Sequence, residues 1–382
     1  MLQIHSLFPV ICFVFHELMI KMRFGNSFLS DVLRLAPRIL SMAPTVLFKD
    51  SEPFGDYANL FIKILKINLG AKLPIYASVD ITNSCNLRCK HCYWWKNFES
   101  SRGLPVEKWR EIIRTVLKKE KIFQVALTGG EPLLRPKIIE VFNEEMPNQV
   151  YVVTNGTFPL INFGGVTYYV SVDGTEEIHN NIRGLPIYKK VKQNVENYDG
   201  KVFANMSLNT MNSDCIERVV EEWHELVNMM TFQFYTPFSP NDELWVPFGR
   251  KRDEIVDRIL KLKDNYPDFF LNTENQLNLL RSNEWTKNCP SWAFLSLNHL
   301  GKVKTPCFIG GENKPMCERC GMCETAGAFA GLYQLDTEWF EIHKKAACAP
   351  IRHRKHQDCN EEKSTYLRSQ DRVYQVTTGL PN

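Results

Sequence analysis

From Ile75 onward the chain alternates β-patterned runs with amphipathic helical runs, and this alternation restricts the fold more than any other feature. Ile75 to Asp80 (IYASVD) has the period-2 pattern of a strand. Leu104 to Lys118 reads as a helix with Val106, Trp109, Ile113, Val116 and Leu117 on one face. Phe123 to Thr128 then reads as a buried strand. Pro136 opens a further helix, in the first-turn position that proline favours. Val150 to Thr154, Tyr168 to Val172, Val202 to Leu208 and Thr231 to Tyr235 are strands; Tyr188 to Tyr198, Ile216 to Val227 and Lys251 to Lys263 are helical. Six strands separated mostly by helices predict an α/β fold with a parallel sheet and right-handed crossovers. Periodicity alone does not separate an open sheet from a partial barrel.

A chain of 382 residues with 44% hydrophobic and 23% charged residues builds a sizeable core. Its net charge of +3 does not call for nucleic acid as a partner. Twelve cysteines are many, yet they concentrate in two tight groups of a long chain. A secreted disulfide framework is typically a small domain, so the clustering reads as metal or iron–sulfur ligation.

The first group follows the first strand: Thr82-Asn83-Ser84-Cys85-Asn86-Leu87-Arg88-Cys89-Lys90-His91-Cys92-Tyr93. Three thiolates on one short loop can ligate three irons of a cubane and leave the fourth open for a substrate. A structural zinc ion asks for a fourth protein ligand, and His91 adjoins Cys92 too closely for both to bind one ion. The C-x3-C-x2-C loop resembles the signature of the radical S-adenosylmethionine (SAM) superfamily, over about Pro74 to Tyr235. The resemblance implies a partial (β/α)6 barrel and a [4Fe–4S] cluster on Cys85, Cys89 and Cys92. It also implies SAM chelated at the open iron and cleaved reductively to a 5′-deoxyadenosyl radical. The family usually has an aromatic residue before the third cysteine, where this chain has His91.

Three strand ends carry matching motifs. Gly129-Gly130-Glu131-Pro132 resembles the family's GGEP segment, which implies that Gly129, Gly130 and Glu131 meet the SAM amino group. Glycines after a strand also permit close backbone approach. Thr154-Asn155-Gly156 and Ser171-Val172-Asp173-Gly174 end the next two strands; each alone is ordinary turn chemistry. In register after successive strands they read as ligand contacts, with Asn155, Ser171 and Asp173 near SAM. The segment running on to His179 and Arg183-Gly184 resembles a family segment that places the arginine there as well.

The second group comprises Cys289, Cys307, Cys317, Cys320 and Cys323. Its C-x11-G-x5-C element resembles the hairpin of SPASM and Twitch modules, and its layout resembles adenosylhopene transferase-like enzymes. The resemblance implies an auxiliary [4Fe–4S] cluster. A four-thiolate zinc site is a second reading. In a third, one of the five thiols exceeds what one cluster needs and faces the substrate to donate or accept a hydrogen atom. Cys348, Cys359, His353 and His356 flank a basic run that reads as solvated surface, and Cys12 and Cys215 as ordinary apolar-face cysteines.

The expected organisation is an apolar or helical extension over 1–73, the barrel over 74–288, a cysteine-rich module over 289–330 and a tail over 331–382. Leu7 to Ile20 is apolar but shorter than the roughly 20 residues of a spanning helix, and no signal-peptide cleavage site stands out. Met19 and Met22 are alternative starts. Ser27 to Met42 reads either as a helix packed on the domain or as an interfacial helix, so a cytoplasmic protein is expected, with peripheral membrane contact under the second reading. The expected activity is modification of an unactivated carbon, with a ferredoxin or flavodoxin as one-electron reductant. Candidate substrates are a lipid or isoprenoid, or else a peptide or cofactor. A non-catalytic electron carrier is the alternative from another class, and the strand-end motifs argue against it.

Overall fold

The computed structural model describes residues 54–92, 103–311 and 314–349. Contacts divide the chain into Met1–Ala58 and Asn59–Asn382, and the fold that follows is that of the second unit. The expectations for Leu7 to Ile20, Ser27 to Met42, Cys12, His353, His356, Cys359 and the end of the chain lie outside the described residues.

Seven strands form one parallel sheet: β1 (Tyr76–Thr82), β2 (Gln124–Gly129), β3 (Val150–Thr154), β4 (Thr167–Ser171), β5 (Lys201–Leu208), β6 (Met229–Phe234) and β7 (Phe294–Leu297). Their order is β6-β5-β4-β3-β2-β1-β7. From β1 to β6 every crossover steps to the next strand on the same side. There is no reversal of the kind that defines a doubly wound sheet, so the sheet winds as a partial barrel. The barrel stays open between its two edge strands, β6 and β7.

Alternation along the strands sorts residues between two surfaces. Ala77, Val79 and Ile81 of β1 are buried in the main core, as are Val125 and Leu127 of β2. Their neighbours Tyr76, Ser78, Gln124 and Ala126 line the interior cavity. The helices are α1 (Phe54–Asn68), α2 (Val106–Ile112), α3 (Pro136–Glu145), α4 (Glu176–Arg183), α5 (Tyr188–Glu196), α6 (Ile216–Trp223), α7 (Arg250–Asn265), α8 (Glu274–Leu279), α9 (Cys323–Tyr333) and α10 (Thr337–Cys348). The helix expected over Leu104 to Lys118 begins as α2 and widens into a π-turn at Ile113–Leu117. There Lys118 N–H donates to Ile113 O (2.9 Å), and Ile113 and Leu117 are both fully buried.

The C-terminal third differs most from expectation. β7 pairs with β1 from Tyr76↔Phe294 to Val79↔Leu297, so the sheet continues into the segment expected to be a separate module. Two helices follow, and α10 occupies part of the expected tail. Its Ile342 and Ala346 pack with Phe203 of β5 and Met229 of β6. Buried Lys304 pairs with buried Asp80 of β1 at 2.7 Å, tying the cysteine-rich segment to the strand that leads into the first cysteine loop. Among the described residues no helix is long and apolar enough to cross a membrane.

Candidate functional site

The base of the first cysteine loop is set by the end of β2. Gly129 has φ of 111°, and a Cβ there would lie 2.2 Å from Thr82 O. A Cβ on Gly130 would lie 2.0 Å from Ser84 O. Gly130 N–H donates to Thr82 O (2.9 Å) and Glu131 N–H to Ser84 O (2.8 Å). The glycine pair thus lets β2 touch the cysteine loop, backbone to backbone, as well as bordering the cavity. Glu131 departs from its expected place, because its side chain does not line the cavity. Fully buried, it accepts from Leu133 N–H (3.0 Å), Thr154 Oγ1 (2.7 Å) and Asn155 N–H (2.8 Å), bracing β2 against the end of β3.

Cys85, Cys89 and Cys92 lie together along a cavity of about 420 Å³ that fills the interior of the barrel. Gly129, Gly130, Asn155, Ser171, Asp173 and Arg183 line the same cavity. Donors point at the sulfurs: Asn155 Nδ2 lies 4.0 Å from Cys85 Sγ, and Arg183 Nη1 3.9 Å from Cys89 Sγ. Arg183 Nη2 pairs with Asp173 Oδ2 at 2.6 Å, both side chains buried, while Asp173 Oδ1 has no hydrogen-bond partner among the described residues. Burial by itself would raise the Asp173 carboxyl; the Arg183 guanidinium, with His91 and His179, outweighs it and holds the group below its usual range. His91 Nε2 lies 3.8 Å from the same carboxylate.

The nine cysteines among the described residues that have described side chains are all free thiols. Burial pushes Cys85 up to about 12 and raises Cys89 too, so a cluster assembling here displaces protons from neutral thiols. Among the described residues no three Cys, His, Asp or Glu side chains converge as one ion would require. A cubane gives each thiolate its own iron and does not ask for that convergence. Three free thiols on one loop, with nitrogen donors aimed at two of them, suit such a group.

The five thiols of the second group divide four to one. Cys289, Cys307, Cys317 and Cys320 lie within electrostatic reach of one another, and burial pushes Cys289 up to about 12 and Cys320 to about 11. Cys323 stands apart. It is buried and lines the barrel cavity, its Sγ 3.6 Å from Thr231 Oγ1 and 3.9 Å from Gln233 Oε1 on β6. Gly321 produces this split by running along the open edge of β6. Phe234 N–H donates to Gly321 O (2.9 Å), and a Cβ on Gly321 would lie 2.3 Å from Phe234 O.

Several cavity residues were not singled out from the sequence. Tyr76, Tyr151 and Tyr169 sit on three strands, and Glu324 and His343 on α9 and α10. Inward-facing strand positions were readable from the alternation. Glu324 looked like an ordinary acid in a helix's first turn.

A parallel barrel with a cysteine loop after its first strand defines a class, and the comparisons agree with it. Residues 79–230 match the model of the radical SAM superfamily, and this domain belongs to that superfamily. The sporulation killing factor maturation protein SkfB of Bacillus subtilis is 28% identical over 172 residues, 41% of each chain. The AdoMet-dependent heme synthase of Methanosarcina barkeri is 32% identical over 124 residues, 30% of this chain and 35% of that one. The chain therefore spans less than half the length of these curated relatives. The crystal structure of Streptococcus suis SuiB bound to precursor peptide SuiA has a TM-score of 0.52 at 12% identity, covering 82% of this chain and 79% of that one. That likeness is one of fold.

Proposed function

We propose that the chain is a radical SAM enzyme in which Cys85, Cys89 and Cys92 hold a [4Fe–4S] cluster at the mouth of the barrel. The observation that carries this reading is the placement of three free thiols from one loop on the wall of a single interior cavity. When bound, cluster and SAM together supply reductive cleavage of the sulfonium, with a ferredoxin or flavodoxin as electron source. The chain's own residues do the rest. Asn155 and Arg183 direct N–H groups at two of the sulfurs, which favours the thiolate form. Asp173, anchored by Arg183, offers its free oxygen to a donor on SAM, and Gly129 and Gly130 keep the loop seated on β2.

A second [4Fe–4S] cluster is assigned to Cys289, Cys307, Cys317 and Cys320. Cys323 is left as a thiol facing the interior. The cavity walls combine aromatic rings with fixed hydrogen-bonding groups such as Gln124, Asn205 and Gln233. A purely hydrocarbon substrate would leave Asn205 Oδ1, buried with no hydrogen-bond partner among the described residues, unpaired at a cost of about 1–3 kcal/mol, which favours a peptide or a polar small molecule over an isoprenoid. The names of relatives, a maturation protein and a heme synthase, accord with that preference.

Anaerobic reconstitution with iron and sulfide tests both cluster assignments. The expected content is about eight irons per chain, as two [4Fe–4S] clusters require. Replacing Cys85, Cys89 and Cys92 by Ala should halve it, and so should replacing the four cysteines of the second set. Cys323→Ala should retain all of it. Iron lost with Cys323, or kept without the first three cysteines, contradicts the assignment.

A further inference from the structure

The charges inside the barrel do not balance. Among the described residues lining the cavity, the Asp, Glu, Lys and Arg side chains are Asp173, Arg183 and Glu324. Asp173 and Arg183 neutralise one another at 2.6 Å. Among the described residues Glu324 has no lysine or arginine partner. It projects from the first turn of α9, and its side chain is exposed where it lines the cavity. Its hydrogen-bonding neighbour is the Cys323 thiol. A carboxylate that lines the cavity with no cation beside it among the described residues is open to one that a ligand brings.

The surroundings suit a cation. Tyr169 lies within electrostatic reach of Glu324, and its ring stands edge-on to Tyr151 at 5.5 Å. Tyr76, stacked on Phe294 at 5.4 Å, has a buried hydroxyl with no hydrogen-bond partner among the described residues. Aromatic faces attract ammonium and guanidinium groups, and a phenol oxygen accepts from them. His343 adds a further acceptor. Its Nδ1 lies 2.7 Å from Trp339 O, and a carbonyl can only accept, so Nδ1 carries the proton and Nε2 keeps its lone pair.

We propose that this part of the barrel recognises a substrate bearing an alkylammonium or guanidinium group, with Glu324 as its counter-ion. The inference rests on the radical SAM reading and narrows its substrate class. The carboxylate would accept two of the cation's N–H bonds while the tyrosine rings cover its alkyl stem. Gln276 holds Glu324 in place from behind, its Nε2 donating to Cys323 O at 2.5 Å to fix the start of α9.

The probes are Nα-acetyl-lysine methylamide and its uncharged isostere Nα-acetyl-norleucine methylamide, titrated calorimetrically into the reconstituted full chain. The lysine derivative should bind about tenfold or more tightly than the norleucine derivative, as a charge-assisted hydrogen-bonded ion pair requires. Glu324→Gln should abolish that preference. Equal affinities in the wild-type chain, no binding of either probe, or a preference that survives in Glu324→Gln would each overturn the proposal. The wild-type comparison stands even if the variant does not fold. Absence of SAM cleavage by the wild-type chain would instead refute the underlying functional reading, and the two failures are thus separable.

Discussion

Gly130 cannot carry a side chain, because Ser84 O stands 2.0 Å from where its Cβ would be. Gly130→Ala must push the cysteine loop off β2. It should cost about 1–3 kcal/mol, as overpacking does, and should lower iron loading on the first cysteine set; unchanged stability by chemical denaturation would show the contact to be softer than described. His179 sits beneath the same site, fully buried, and accepts a hydrogen bond from Asp173 N–H (3.2 Å) at Nδ1. Burial drives its imidazole down to about 3. The unfolded chain takes up that proton below about pH 6.5, and the folded chain does so only near 3. Stability is therefore intact above about pH 6.5 and falls as pH drops through that window, by at most about 1.4 kcal/mol per pH unit from this group. Melting temperatures between pH 7 and 5 should decline more steeply for the wild type than for His179→Gln, and parallel slopes would exclude the effect. The three loop cysteines and the strand-end residues were legible because spacing and position in the chain are local facts. The direction in which Glu131 turns was not, since it depends on two N–H groups and a hydroxyl supplied by Leu133, Asn155 and Thr154.

At the scale of elements, the pair Asp80–Lys304 joins β1 to a segment 224 residues away. Thr128 Oγ1 also donates to Asp80 (2.8 Å), and Lys304 donates in addition to Phe308 O. Removing one member strands the other in the interior. Lys304→Met should cost about 3–5 kcal/mol, and Asp80→Asn added to it should recover part of that loss. A denaturation double-mutant cycle measures the coupling; additive losses would mean that the two residues act independently. No pattern in the sequence announces such a pair, because a lone lysine and a lone aspartate look like surface residues until the sheet brings them together. α10 is a different case. Trp339, Ile342 and Ala346 are spaced for one helical face and are buried, so the signal was present. Reading that stretch as tail overlooked it because the surface it covers, Phe203 and Met229, is created only when the sheet folds.

For the whole molecule, the decisive feature is consecutive strand order. It bends a parallel sheet around one interior, brings the cysteine loop, the strand ends and α9 to the same cavity, and leaves the β6 edge for the second cysteine segment to cover. The alternation of strands and helices was readable from Ile75 onward. The winding and the separation of Cys323 from its four neighbours were not, since both depend on which edges meet. The account stands on the first cysteine loop acting as a catalytic centre, and a product assay tests that most directly. Reconstituted anaerobically and given SAM and dithionite, the full chain should release 5′-deoxyadenosine, and Cys89→Ala should release none. A wild-type chain carrying its full iron yet forming no 5′-deoxyadenosine, or a Cys89→Ala variant that still forms it, would contradict the account.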